Sequence, residues 1–394
     1  SSVLAATHRE PANSLYLVQL AQWQPNNKKN LLNAALALNP FDSPTWIDLG
    51  LLEEFTLHDV AAAEKAFLNA AKFDHMYLPR FTLANFYFRH GNVDRFATWA
   101  KDTLTVTPYV GGPLFYQLWS TTLSPREIAA MIPDRPRILY EYVSFLVDHG
   151  ELPYAVSTAR KALLMSQSPN SKEYAGPTEG RRFVLGYLLD ELLLNQHLQE
   201  ADAVWNQMRQ SKWIPFPTPT TANPITNGDF RRPITGHGFD WKSSTINGVT
   251  PEQFADLGRI RITLSGLQPE ATVLLSQSVP LASNQRYTLK WHFDQNGLRP
   301  GDGLAWHLYA HSPTSTNTIT ELASADMTLS SQQIGNWTFE TPLNASNVFS
   351  LNLEYRRPLG MTRAQGELSI NNVELQLADS ALSTSPAKQD EIVQ

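Results

Sequence analysis

From about Asn13 to Gln210, apolar residues return every third or fourth position, the spacing of helices with one buried face. The clearest stretch is 77–110. Leu83, Ala84 and Tyr87 share one face of a first helix, His90-Gly91-Asn92 makes a turn, and Phe96, Ala100 and Leu104 face back from a second helix. Gly91 can take positive φ there without steric cost, and Pro108 ends the unit because proline cannot continue a helix. Small residues at Ala84 and Ala100 let the two helices approach closely. Pro40, Asp74 and Pro108 stand 34 residues apart, Leu49-Gly50 recurs as Leu83-Ala84, and Gly91 recurs in role as Gly150. A period of this length predicts stacked helix pairs, which serve as binding scaffolds more often than as active sites. Between Tyr109 and Pro136 the period breaks, and Gly111-Gly112-Pro113, Pro125 and Pro133 predict a rebuilt or longer connection.

The pattern changes after residue 212. Prolines at 215, 217, 219 and 224 make 213–224 a Pro/Thr-rich, semi-rigid linker. Beyond it the apolar period is two. Ile260, Ile262 and Leu264 alternate with Arg259, Arg261 and Thr263; Tyr287, Leu289, Trp291 and Phe293 alternate with Thr288, Lys290 and His292. Leu304, Trp306 and Leu308 alternate with His307 and Tyr309, and Phe349, Leu351, Leu353 and Tyr355 with Asn352, Glu354 and Arg356. Leu368 and Ile370 give way to Val373 and Leu375, a one-residue phase shift that predicts a bulge. Strands of this kind, separated by turn residues, predict an antiparallel sandwich of roughly eight to ten strands. The predicted fold is multidomain: an all-α helical-repeat solenoid over 1–212, the linker, an all-β jelly-roll sandwich over 225–378, and a disordered tail at 379–394.

Two families resemble parts of this pattern. Residues 43–76, with Trp46, Leu49, Gly50, Ala62 and Ala66, resemble a tetratricopeptide repeat, although Glu53 stands where the family usually has tyrosine. Residues 77–110 match with Leu83, Ala84, Tyr87, Gly91, Ala100 and Pro108. Degenerate units keep Gly150, Ala155, Ala159, Ala162 and Leu163, then Leu185, Gly186, Ala201 and Trp205. The resemblance implies a groove that binds a protein partner. Arg80, Asn85 and Arg89 are its candidate partner-binding residues, though the same pattern describes a solvated helix face.

The second half is similar to carbohydrate-binding modules of the family 4, 9 and 22 jelly-roll type. It opens on Asn227-Gly228-Asp229-Phe230 and Phe239-Asp240-Trp241, carries Gln277-Ser278-Val279 and Arg286-Tyr287-Thr288-Leu289-Lys290-Trp291, and closes on Ile370-Asn371-Asn372-Val373-Glu374-Leu375. These motifs are short and mainly structural. The resemblance implies glycan binding, with Arg261, His307, Tyr309, Asn352, Glu354 and Arg356 as the candidate set on the polar face. Alternation places Trp291 and Trp306 in the core and makes Trp241 a plug at the sandwich end; Trp337 is an alternative stacking platform. The family's closing aspartate is Asn371 here. A structural calcium shared by Asp229 and Asn371 is an option that the neutral amide weakens.

Composition narrows the remaining chemistry. Charged residues are 17%, the net charge is −6, and no basic stripe invites nucleic acid. With no cysteine, disulfides, thiolate zinc sites and cysteine nucleophiles are excluded together. No apolar run is long enough to span a bilayer, and an upstream anchor would be invisible. His307 and His311 would lie about 13 Å apart on one strand face, too far for one metal. Acid pairs such as Glu53-Glu54 lie on a repeat helix, where solvation or a capping role is the default. No nucleophile elbow or metalloprotease helix occurs. The pairing of repeats with a sandwich resembles bacterial envelope proteins associated with exopolysaccharide synthesis or export, and this resemblance implies a non-catalytic scaffold, periplasmic or envelope-associated, that holds a protein partner and a glycan. A purely structural assembly module and a glycan-active enzyme using Glu354 are the alternatives.

Overall fold

The helical spacing resolves into helix pairs joined by tight turns. The computed structural model describes residues 2–107, 111–165, 176–312, 315–327, 334–343 and 347–378. The chain divides into two units, Ser1–Ala175 and Gly176–Gln394.

In the first unit α1 (Ser2–Arg9) precedes three pairs: α2 (Ser14–Trp23) with α3 (Lys28–Leu38), α4 (Ser43–Phe55) with α5 (Val60–Phe73), and α6 (Tyr77–Arg89) with α7 (Val93–Val106). Side-chain caps start the second helices: Asp59 accepts from Ala62 N and Asn92 from Arg95 N, satisfying amides that the helix leaves open. Gly50 marks the closest approach. A Cβ there would lie 2.4 Å from the Phe67 ring, so glycine lets α5 press on α4. The stretch where the period breaks is still helical: α8 (Gly112–Trp119), then α9 (Pro125–Met131) behind a Ser124–Glu127 capping box. Next come α10 (Pro136–Asp148) and α11 (Leu152–Met165). Pro108 and Tyr109 lie outside the described residues.

Two acids differ from expectation. Glu53 and Glu54 are buried rather than solvated, at 3% and 7% exposure. Lys29 Nζ sits 2.9 Å from Glu53. Arg89 donates through Nε and Nη2 to Glu54 at 2.9 and 2.7 Å, and His90 Nε2 lies 3.1 Å away. A buried carboxylate is tolerated only when paired in this way. The acid in the tyrosine position is thus explained by its cross-helix cation.

The second unit holds α12 (Glu179–Leu194), α13 (Leu198–Gln210) and ten described strands. These are β1 (Lys242–Ser243), β2 (Val249–Phe254), β3 (Arg259–Ser265), β4 (Ala271–Pro280), β5 (Arg286–Asn296), β6 (Leu304–Ser312), β7 (Ser315–Asp326), β8 (Ile334–Glu340), β9 (Val348–Arg356) and β10 (Gln365–Leu377). They form two five-stranded antiparallel sheets, in the orders β1-β4-β9-β6-β7 and β2-β3-β10-β5-β8. The core lies between them. Trp291 and Trp306 are buried in it with ring centroids 6.0 Å apart, and Trp241 packs on Phe230 and Trp306. The predicted bulge falls between Ile370 and Asn372, which makes Asn371 the extra residue. Just past it, Val373 N donates to Gly228 O at 2.9 Å, tying the closing motif to the opening one. A Cβ on Gly228 would strike that region 2.1 Å from Val373 O.

The pair α12–α13 belongs to the same unit as the sandwich, and 213–224 is no free spacer. Trp213, Ile214 and Phe216 of this segment are buried. Trp205 of α13 stacks on Phe216, meets Phe239 edge-on at 5.5 Å, and donates Nε1 to Pro217 O at 3.1 Å. Gly186 does not serve a helix partner, since a Cβ there would meet the His237 ring at 2.5 Å. Asp190 completes the seat, accepting from Gly238 N at 2.8 Å with His237 Nδ1 and Lys242 Nζ each at 2.7 Å. Burial alone would raise the Asp190 carboxyl, but the His237 and Lys242 contacts hold it below its ordinary value. At the other end of α12, Gln196 brackets Val348, donating to its carbonyl and accepting from its amide. The tail 379–394 lies outside the described residues.

Candidate functional site

Strand register assembles a polar surface on the outer face of the β1-β4-β9-β6-β7 sheet. Asn352 lies opposite His307 on β6 and Ser276 on β4; Ser350 lies opposite Tyr309 and Ser278; Lys242 of β1 lies opposite Ser276. Leu308, Leu351 and Leu353 take the intervening positions and enter the core, as strand alternation requires. A bulge on β7 brings Glu321 opposite Tyr309.

Five of the six predicted glycan residues meet here, joined by Glu321. His307 Nδ1 is 3.0 Å from Glu321 Oε1, and Nε2 is 4.0 Å from Glu354. Arg356 donates Nε to Glu354 at 3.0 Å and Nη2 to Glu321 at 3.0 Å and to the Tyr309 hydroxyl. Asn352 Nδ2 donates to Glu354 Oε1 at 3.1 Å. His307 and Glu354 are almost fully buried, while Arg356 keeps 46% of its side chain exposed. Burial, reinforced by Glu354, pushes the Tyr309 phenol up, so it stays a neutral donor. Burial would also raise Glu321, but hydrogen bonds from His307 and Arg356 outweigh it and hold this carboxyl low.

Two buried atoms of this network, His307 Nε2 and Asn352 Oδ1, make no hydrogen bond among the described residues. Asn352 also lines a hollow of about 280 Å³, together with Lys242, Ser276, Gln277, Ser278 and Ser350. Hydroxyls, amides and a fixed guanidinium at such spacing can bond the hydroxyls of a polyol. Glu321 and Glu354 rise from one sheet face and share the Arg356 guanidinium, at 3.0 and 2.9 Å.

The sixth residue, Arg261, is misplaced by the sequence reading. It lies on β3 in the other sheet, paired with Glu252 and set over the Phe254 ring at 4.9 Å. Missed were Glu321, Lys242 and the serines of β4 and β9. Around Glu321 the alternation is broken by the bulge, and the Gln277-Ser278-Val279 motif points to fold before it points to a ligand.

The other candidates are engaged elsewhere. In the first unit Arg80 Nη1 donates to Asp102 O, Asn85 links Phe81 O and Gln117, and Arg89 holds Glu54. Asp229 is exposed and accepts from Arg231 N, and Asn371 occupies the bulge. Among the described residues no group of three or more His, Asp or Glu side chains could hold a metal ion. The His311 side chain lies outside the described residues. Trp337 is half-buried against Phe339 and the core, which limits it as a platform. Among the described residues no helix is long and apolar enough to cross a membrane.

No protein-family model matches the chain, and no curated protein does. Solved structures similar to it include both kinds that its motifs resemble. "CBM4 structure and function" is 16% identical, covering 39% of this chain and 99% of that one, with a TM-score of 0.32. YrrB, "a TPR protein with an unusual peptide-binding site", is 9% identical over 54% of this chain and 93% of its own, with a TM-score of 0.26. PilW, a "widely conserved type IV pilus biogenesis factor", is 14% identical over 53% and 82%, with a TM-score of 0.24.

Proposed function

We propose that the chain is a non-catalytic binding adaptor whose outer sheet face holds a neutral glycan while its helix pairs hold a protein partner. The observation that carries the glycan half is the buried Asn352 Oδ1, which makes no hydrogen bond among the described residues and belongs to a residue lining the serine-rich hollow, with His307 Nε2 likewise without a hydrogen bond opposite it on β6. Leaving such atoms without partners is costly, so a ligand hydroxyl at that place is favoured. Glu321 and Glu354 oppose a carboxylated sugar, which selects for neutral residues. A role in the cell envelope, in exopolysaccharide synthesis or export, rests on the pairing of repeat motifs with the sugar-module motifs. The full chain on a glycan array tests the reading. Binding to neutral oligosaccharides, lost in Tyr309→Ala and Arg356→Ala, supports it; a blank array overturns it and leaves an assembly module.

A further inference from the structure

The larger cavity of the second unit is elsewhere, and its chemistry is different. A bowl of about 1090 Å³ opens between α12, α13, the segment that follows α13, and the 233–237 loop. Leu189, Met208, Trp213 and Ile214 give it an apolar floor. Arg182 of α12, Arg209 of α13 and Lys212 stand around it as three exposed cations, with Glu179 the one acid of the lining. No side-chain hydrogen bond or ion pair engages any of these three cations among the described residues. That contrasts with Arg356, Arg261 and Lys242, each tied to a carboxylate. Phe183, 60% exposed, stands at the rim, held edge-on to His237 at 5.5 Å.

We propose that this bowl binds an acidic peptide segment carrying an apolar anchor residue. Its carboxylates would meet Arg182, Arg209 and Lys212, and its apolar side chain would settle on the floor against Phe183. A net surplus of two positive charges in the lining selects an anion. The floor selects a hydrocarbon side chain over a sugar. Hydroxyl side chains in the lining are limited to Thr178 and Thr235, too few to bind a row of sugar hydroxyls and unlike the sheet face. The surface is built from the pair that resembles a degenerate repeat, so it gives the protein partner a place that depends on the sandwich as well as on helices.

The test is selection of random displayed peptides on the full chain, followed by anisotropy titration of the enriched sequences. Expected are peptides with acidic residues beside a large apolar one, weakened by about tenfold or more in Arg182→Gln/Arg209→Gln and more weakly held as salt rises. Phe183→Ala should weaken them severalfold, and all these positions are exposed, so melting temperatures should not change. Trigalacturonate and inorganic phosphate serve as competitors. No enrichment, enriched peptides that bind the double variant as well as the parent, or trigalacturonate displacing every peptide would overturn the proposal. Its failure leaves glycan binding at the sheet face untouched, since none of these residues lines that face.

Discussion

Two glycines in the same motif position have different partners. Gly50 of α4 receives the Phe67 ring of α5, the next helix of its own pair. Gly186 of α12 receives His237 from the sandwich loop, although Leu185-Gly186 repeats the Leu49-Gly50 signature. In both places the missing Cβ marks where another body comes close. The signature identifies the close approach, and only the fold shows what approaches. At Gly50 the result is a repeat; at Gly186 it is a helix pair joined to a sandwich by Asp190, Trp205 and Gln196.

The largest expected effect strikes this difference directly. Trp205→Ala should cost the second unit ~3–5 kcal/mol, because a fully buried indole packed on Phe216 and Phe239 is removed. A thermal melt followed by near-UV circular dichroism should show the sandwich transition falling. A shift confined to helical signal would separate α12–α13 from the sandwich and break the comparison.

Next in size is a pH effect. Burial raises Asp240 to about 6, only partly offset by hydrogen bonds from Thr235, Trp241 and Asn227. With the folded value above the unfolded one, the native state holds the proton more tightly. Stability is fully present below about pH 4 and falls as pH rises through about 6, by up to ~3 kcal/mol. Asp190 runs the other way: its depressed value adds stability above the unfolded pKa that is lost as pH falls through the folded one. Urea titrations across pH 4–7 should show the Asp240 slope vanish in Asp240→Asn; a slope unchanged by that substitution contradicts the assignment.

A smaller effect sharpens the contrast between the glycines. Gly50→Val and Gly186→Val should each cost ~1–3 kcal/mol through overpacking. The first should lower the transition of the helical unit and the second that of the sandwich unit, as read by two-transition calorimetry. Equal shifts of one common transition would show that the two positions report on one body.

Much of this was legible in the chain. The period of two placed Trp291 and Trp306 in the core, and the phase shift after Ile370 gave the bulge. Five of six polar-face residues converged because alternation fixes which face a residue takes. Alternation says nothing about which sheet a strand joins, so Arg261 was grouped with residues on the far sheet. Glu321 was hidden because its bulge breaks the period. The packing of 213–224 was not legible, because prolines signal extended backbone, and extended backbone can still pack through Trp213, Ile214 and Phe216. Glu54 was read as solvated because its partners, Arg89 and His90, are a whole helix pair away in sequence.

The central claim is that the glycan sits on one sheet face and not the other. Isothermal titration of the full chain with an oligosaccharide found on the array measures this most directly, in Arg356→Ala and Arg261→Ala side by side. Loss of about tenfold or more in affinity in Arg356→Ala, with Arg261→Ala binding as the parent does, is the predicted result. Parent-like binding in Arg356→Ala, or an equal loss in Arg261→Ala, would contradict it.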